Sequence, residues 1–154
     1  MKAYLDDTDL DILRIMQVDG RISNADLAKK ISLSPASTFQ RVRNLEAAGF
    51  IRRYVALVDH EKVGKKLTVL AMVELSLHQD QPIERFRRAV MQIPEVLECY
   101  NVSGEFDFVL KIVVPDMRSY EALVREKIST IRGVGKVTSS FVLSTTKHTT
   151  AVPI

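Results

Sequence analysis

The stretch RISNADLAKKISLSPASTFQRVRNLEAAGFI, residues 21–51, decides how this chain is read. It holds two short amphipathic helices with almost no room between them. Ser23 is placed to cap the first, with Asp26 three residues on in a capping-box position. Ala25, Leu27, Ala28 and Ile31 form its inward side. Ser34 caps the second helix, and Pro35 takes its first position, where a missing N–H costs nothing. Thr38, Phe39, Val42 and Leu45 follow at helical spacing as its inward face, and Gly49 closes it. Only Ser32 and Leu33 lie between the two helices, the tight connection of a helix-turn-helix.

The outward face of the second helix carries the chemistry. Ala36, Ser37, Gln40, Arg41, Arg43 and Asn44 remain outside once the core face is assigned, and no acid occurs from Leu27 through Asn44. Ser34, Ser37 and Thr38 can reach phosphates or base edges, Arg pairs with guanine or phosphate, and Gln and Asn can read adenine bidentately. Lys29 and Lys30 end the preceding helix, and Arg52 and Arg53 follow, all placed to meet a phosphate backbone. The same module could mediate protein contact behind a merely solvated polar face. Capping, spacing, acid depletion and the short turn agree instead on double-stranded DNA.

Upstream, Leu10, Ile12, Leu13, Ile15 and Met16 give a first helix from about Asp6 to Asp19. Acids crowd its first turn, where the helix dipole favours them, and Gly20 is read as its end. Downstream, residues 51–58 read as a strand and the polar run 59–66, with Gly64, as a hinge. The expected organisation is a helix-turn-helix domain over 1–51, a strand and hinge over 52–66, and a second domain over 67–154.

The second half changes period. Strands are expected at Leu67–Leu77, Val96–Ser103, Phe106–Val114 and Lys136–Ser144. Helices are expected at Gln81–Gln92, with Ile83, Phe86 and Val90 inward, and at Asp116–Ile131, with Met117, Tyr120, Val124, Ile128 and Ile131 inward. The order βαββαβ is the ferredoxin-like split unit, so the chain is α+β, with an antiparallel four-stranded sheet and two helices on one face. The first strand is apolar on both sides: Val69, Ala71, Val73 and Leu75 alternate with Leu70 and Met72. The third sets Phe106, Phe108 and Leu110 against Val109 and Val113. A second apolar face implies an interface, either with another copy or with the first domain.

Composition bounds the remaining classes. The net charge of +3 lies wholly in residues 1–66, with 12 Lys and Arg against 9 Asp and Glu, while 67–154 balance at 10 against 10. That asymmetry points the same way as the helix pair. The single cysteine, Cys99, excludes an internal disulfide and a cysteine metal cluster, is read as a small buried apolar residue, and fits a reducing cytoplasm. The acidic start (Asp6, Asp7, Asp9, Asp11) is unlike a signal peptide, and Leu67–Leu77 is too short to span a bilayer. Catalytic and metal readings find no support. His60, His78 and His148 share no ligand spacing, and Gly133-Val134-Gly135 lacks the rest of a dinucleotide fingerprint. One further constellation, Ser103-Gly104-Glu105-Phe106-Asp107, offers turn N–H groups for a carboxylate and acids for an ammonium, the two ends of an amino acid. By itself it reads better as an ordinary hairpin turn with solvated acids.

The chain also resembles a family. Asp9-Leu10-Asp11-Ile12-Leu13, Asn24-Ala25-Asp26-Leu27-Ala28, Leu33-Ser34-Pro35, Arg41-Val42-Arg43-Asn44-Leu45-Glu46 and Gly49-Phe50-Ile51 resemble the helix-turn-helix of the leucine-responsive regulatory protein/AsnC family. Val102 to Phe108 resembles that family's Gly-x-x-Asp effector turn, and Ser139 to Leu143 with Lys147 to Thr150 its closing strand and tail. The resemblance covers nearly the whole chain in order. It implies a winged-type helix-turn-helix joined to a ferredoxin-like domain, and a cytoplasmic, nucleoid-associated transcription regulator that is not an enzyme and carries no cofactor. It also implies dimers that build tetramers or octamers, with a small effector, commonly an amino acid, between dimers. Carried over by position, the effector residues would be Gly104, Glu105, Phe106, Asp107, Met117, Ser139, Ser140, Phe141 and Val142, with Asp107 pairing an α-ammonium. DNA contacts would run from Ser34 to Asn44, with Phe39 in the core where the family has an aliphatic residue. Two other readings remain open from the sequence. An enzyme of the same fold acting on a tetrapyrrole would need pocket histidines that are scattered here. A metabolite-binding or assembly module without DNA binding would not need the Gln40-Arg41-Val42-Arg43 face.

Overall fold

The structure, a computed structural model, describes residues 5–76 and 81–154. The chain divides into two compact units. One runs to Leu57 and includes Lys147–Ile154; the other is Val58–Thr146.

The first unit holds α1 (Asp7–Val18), α2 (Asn24–Lys30) and α3 (Pro35–Ala47). Local chemistry sets each boundary. Asp6 caps α1 in a reciprocal box with Asp9, Ser23 accepts from Asp26 N, and Ser34 accepts from Ser37 N. Helix α3 stops in a Schellman motif: Phe50 N donates to Leu45 O, Gly49 N donates to Glu46 O, and Gly49 takes φ 78°. Helix α1 instead ends at Asp19, and Gly20 has no left-handed backbone, so it is not the cap expected of it. Ile12, Leu27 and Leu45 form the small core, with Leu13, Ile15, Met16 and Val42 packed around them. Ala25, expected inward, is exposed.

The C-terminal tail belongs to this unit. Gln17 Nε2 donates to Val152 O at 3.1 Å, Val152 N donates to Gln17 Oε1, and Arg14 Nε donates to Ile154 O at 2.8 Å. Residues 51–58 form no strand, because no neighbouring strand among the described residues offers them a ladder. The expected hinge at 59–66 is a tied turn. Asp59 Oδ1 accepts from the backbone of Glu61 and Lys62, and Lys65 N donates to His60 O at 2.8 Å.

The second unit is β1 (Leu67–Leu75), α4 (Pro82–Val90), β2 (Val96–Asn101), β3 (Phe108–Val114), α5 (Met117–Leu123) continued by a π turn at Val124–Ile128, and β4 (Val134–Phe141). The sheet order is β2-β3-β1-β4, and every neighbouring pair is antiparallel, the expected ferredoxin-like topology. Leu77, the expected end of the first strand, lies outside the described residues. The core lies between helices and sheet. Val69, Ala71 and Val73 meet Phe108, Leu110 and Ile112 beneath Phe86, Val90, Tyr120 and Ile128. The Phe86 and Phe108 rings stack tilted at 4.6 Å. Ile83 and Met117, expected inward, are 40% and 45% exposed at the open ends of their helices. Cys99 is exposed on edge strand β2 rather than buried.

Candidate nucleic-acid interface and effector turn

Helix α3 is held by bonds that its own sequence and its neighbours supply. Thr38 Oγ1 donates to Ser34 O at 3.0 Å within its first turn. Asn24 Nδ2 donates to Pro35 O at 2.8 Å and joins the start of α2 to the start of α3. At mid-helix, Arg41 Nη1 lies 2.8 Å from Asp6 and 2.7 Å from Asp9. The two acids that shape the first turn of α1 therefore also anchor α3. The Asp6 carboxyl is held below its usual range, first by the Asp9 backbone N–H and then by Arg41. The Arg41 guanidinium is held more firmly protonated, by Asp9 first and Asp6 second.

This geometry divides the expected DNA residues. Ala36, Ser37, Gln40, Arg43 and Asn44 stay outside on α3; Gln40 Nε2 donates to Asn44 Oδ1 at 3.0 Å. Lys29 and Lys30 are exposed at the end of α2, and Ser34 and Pro35 at the start of α3. Two residues depart from expectation. Thr38 is fully buried, so it supports the helix from inside and has no surface to offer a base. Arg41 is turned back onto α1, with 30% of its side chain exposed. A cleft of about 420 Å³ opens beside Ser37, Gln40, Arg41 and Asn44.

Phe39 was expected in the core and is not there. It is 56% exposed, because adjacent positions on a helix differ by about a quarter turn and Thr38 takes the inward one. The Arg43 guanidinium sits over the Phe39 ring, 5.9 Å from its centroid. Sequence reasoning missed this pair and the Asp6–Arg41–Asp9 clamp. A chain pattern of Arg41 with two acids far upstream carried no spacing signal.

The residues expected to meet an effector fall into two groups. Gly104 takes φ 127° in the turn between β2 and β3, a backbone that side chains rarely adopt. Asp107 closes that turn onto β1: its N–H donates to Val73 O at 2.9 Å, and its Oδ2 accepts from Leu75 N at 2.7 Å. One carboxylate oxygen of Asp107 is therefore committed to holding the turn, while Glu105 is exposed beside it and Phe106 half-buried. The second group lies toward the other end of the sheet. Ser139 pairs with Ala71 and Phe141 with Val69, and Met117 starts the helix that follows the β3 end paired to Leu67. Tyr120 shares a hydrogen bond with Ser139 at 2.5 Å, and its ring meets Phe141 edge-on at 5.6 Å. Alternation turns Ser139 and Phe141 to the helix side, and Ser140 and Val142 away from it. From the Val69 level to Leu75 is about 20 Å along the strand. One copy of the chain therefore keeps Phe141 and Met117 apart from the Gly104 turn, while Ser139 sits mid-strand opposite Ala71.

Among the described residues, no His, Cys, Asp and Glu cluster that could hold a metal occurs, and no helix is long and apolar enough to cross a membrane.

Comparison with known proteins meets the same two units. A winged helix-turn-helix DNA-binding model matches residues 5–52, and an Lrp/AsnC ligand binding domain model matches 68–152. The chain is 40% identical to the transcriptional regulator AzlB of Bacillus subtilis over 154 residues, 100% of this chain and 98% of that one. It is 40% identical to the leucine-responsive regulatory protein of Escherichia coli over 152 residues, 97% and 92% of the two chains. Among solved structures, a Neisseria meningitidis transcriptional regulator in complex with L-Met superposes with a TM-score of 0.94 at 36% identity, covering 97% of each chain. The relatives are named as regulators, not enzymes. With a matched DNA-reading module, a matched ligand-binding module and full-length relatives in one order, this chain belongs to the Lrp/AsnC family of DNA-binding transcriptional regulators.

Proposed function

We propose that this regulator reads duplex DNA through the exposed surface of α3. Ala36, Ser37, Gln40, Arg43 and Asn44 face the major groove, while Lys29, Lys30 and the backbone at Ser34 and Pro35 meet phosphates. The observation that carries this reading is a polar helix face, free of acids from Ser34 to Asn44, pinned at its start by Asn24 and at its middle by Arg41. A recognition helix must be rigid, because base readout pays only if ordering was completed on folding. Arg41 and Thr38 act from behind the face, as anchors.

The working unit is at least a dimer. The sheet face away from the helices carries Leu70, Met72, Val109 and Val113, and Leu70 is 38% exposed. The unpaired stretch 54–58 exposes Tyr54, Val55, Leu57 and Val58. A second copy that covers these surfaces sets two α3 helices about 34–36 Å apart, one turn of DNA. Further association into tetramers or octamers would bend the DNA and favour deformable sites.

The effector is an amino acid bound between copies. The Neisseria relative was solved with L-Met and the Escherichia coli relative is named for leucine. The Gly104 turn of one copy supplies N–H groups to the carboxylate, and Glu105 with the remaining Asp107 oxygen supplies charge to the ammonium. Met117 and the Phe141–Val142 end of the closing strand come from another copy, since they lie at the other end of the sheet from the Gly104 turn, with Ser139 and Ser140 between. Binding shifts DNA affinity only as far as the amino acid discriminates between assemblies. The protein acts in the cytoplasm, on the nucleoid.

The test is a salt titration of binding to a duplex from the gene's own upstream region, repeated with a panel of amino acids and followed by light scattering. A steep fall of affinity with salt is expected, together with a change in particle size or affinity for one amino acid. An amino acid that binds and changes neither would sink the effector mechanism. Binding equal to that of random DNA would sink sequence reading by α3 at that site.

A further inference from the structure

We propose that Phe39 is a specificity-determining residue that reads thymine by packing its ring on the C5-methyl group in the major groove. The inference rests on α3 being the DNA-reading helix. Phe39 is outside both hydrophobic cores and 56% exposed, so folding does not account for its bulk there. It lies on the flank of α3 that also bears Ala36 and Arg43, away from the flank facing α1 where Arg41 is tied. The Arg43 guanidinium lies over the ring, and 3.8 Å from Glu46, and places a cation beside an apolar surface.

The chemistry of the groove then selects the base. Every major-groove edge presents donors or acceptors, and only thymine adds an apolar group, its methyl. A phenyl ring cannot donate or accept a strong hydrogen bond. Against guanine, cytosine or adenine it would strip water from polar atoms and return nothing; against a thymine methyl it removes apolar surface from water on both sides. Arg43, beside the same ring, can exchange its 3.8 Å contact with Glu46 for a neighbouring guanine or phosphate.

The experiment replaces thymine by uracil, which keeps every base-pairing atom and lacks only the methyl. A preferred duplex is selected from a random pool with the intact protein and then synthesised in thymine and uracil forms. Binding of the wild type, F39A and F39L is measured on both. The wild type is expected to bind the uracil form about fourfold more weakly per engaged α3, the worth of burying one methyl group. F39A is expected to bind the two forms equally and the thymine form more weakly, and F39L to retain part of the preference. Thermal melting of F39A should stay near wild type, since much of the side chain is already in water. If F39A keeps the wild-type preference, or the wild type shows none on its selected duplex, Phe39 does not read thymine while DNA reading by α3 stands. If no duplex is enriched above random DNA, both readings fall.

Discussion

The two units are stabilised by different physics. The sheet unit buries thirteen core residues between helices and strands, several of them with no exposure at all. The three-helix unit has a core cluster of three, with Ala28 and Thr38 also buried, and relies on polar pins: the Asp6–Asp9 box, the Arg41 clamp, the Asn24–Pro35 bond and the tail on Gln17. Apolar burial is non-directional and barely sensitive to salt or pH. Polar pins are directional and respond to both. The unit that must present a helix at a defined angle is thus the one held by bonds that specify angle.

The largest break in that contrast comes from the sheet core. Phe86→Ala should destabilise the second unit by about 3–5 kcal/mol, because it removes a fully buried ring stacked on Phe108. Hydrogen exchange would show protection falling across β1–β4 first; an equal loss across α1–α3 would mean the units share one cooperative core.

Next comes the clamp. Arg41→Ala leaves Asp6 and Asp9 facing each other without their cation, so the three-helix unit should melt earlier and bind DNA more weakly at every salt concentration. Its salt slope should match wild type, because no phosphate contact is lost. Arg43→Ala should reduce the slope by about 0.9 for one phosphate, or leave the slope and change base preference if it reads guanine. A reduced slope in Arg41→Ala would show that Arg41 leaves α1 to meet DNA.

Acid should separate the units more gently. Asp6 is lowered by the Asp9 backbone and then Arg41, and Asp26 by Ser23 and then Lys29. A folded carboxyl that ionises more easily than the unfolded one adds stability above the ordinary carboxylate pKa, about 3.9, and that stability is lost as pH falls below it. The sheet unit has similar groups, Asp116 lowered by the Ser119 backbone and Glu95 by Lys127, yet keeps its larger core. On acid titration followed by helix and strand signals, α1–α3 should therefore melt before the sheet.

The smallest effect is at Tyr54. Its hydroxyl donates to Glu46 at 2.9 Å, and burial followed by Glu46 pushes its pKa up to about 12. The contact is complete below the ordinary phenol pKa and is lost as pH rises through 12. Ultraviolet titration of Tyr54→Phe should lack that late-ionising phenol with little change in DNA binding.

Local signals in the chain carried the helix caps, the short turn, the βαββαβ order and the family resemblance, because caps and periodicity act over a few residues. Ser23, Ser34 and Gly49 each sit where their side chain or backbone freedom requires. Only the tertiary structure decided which of Thr38 and Phe39 turns inward, since both satisfy the same period and the core has room for one. It alone gave Arg41 to Asp6 and Asp9, because an ion pair across 35 and 32 residues leaves no trace in spacing. It left 51–58 without a strand partner, because a strand is made by its neighbour, and it set the Gly104 turn and Phe141 at different ends of one sheet, because register, not sequence proximity, decides what shares a place.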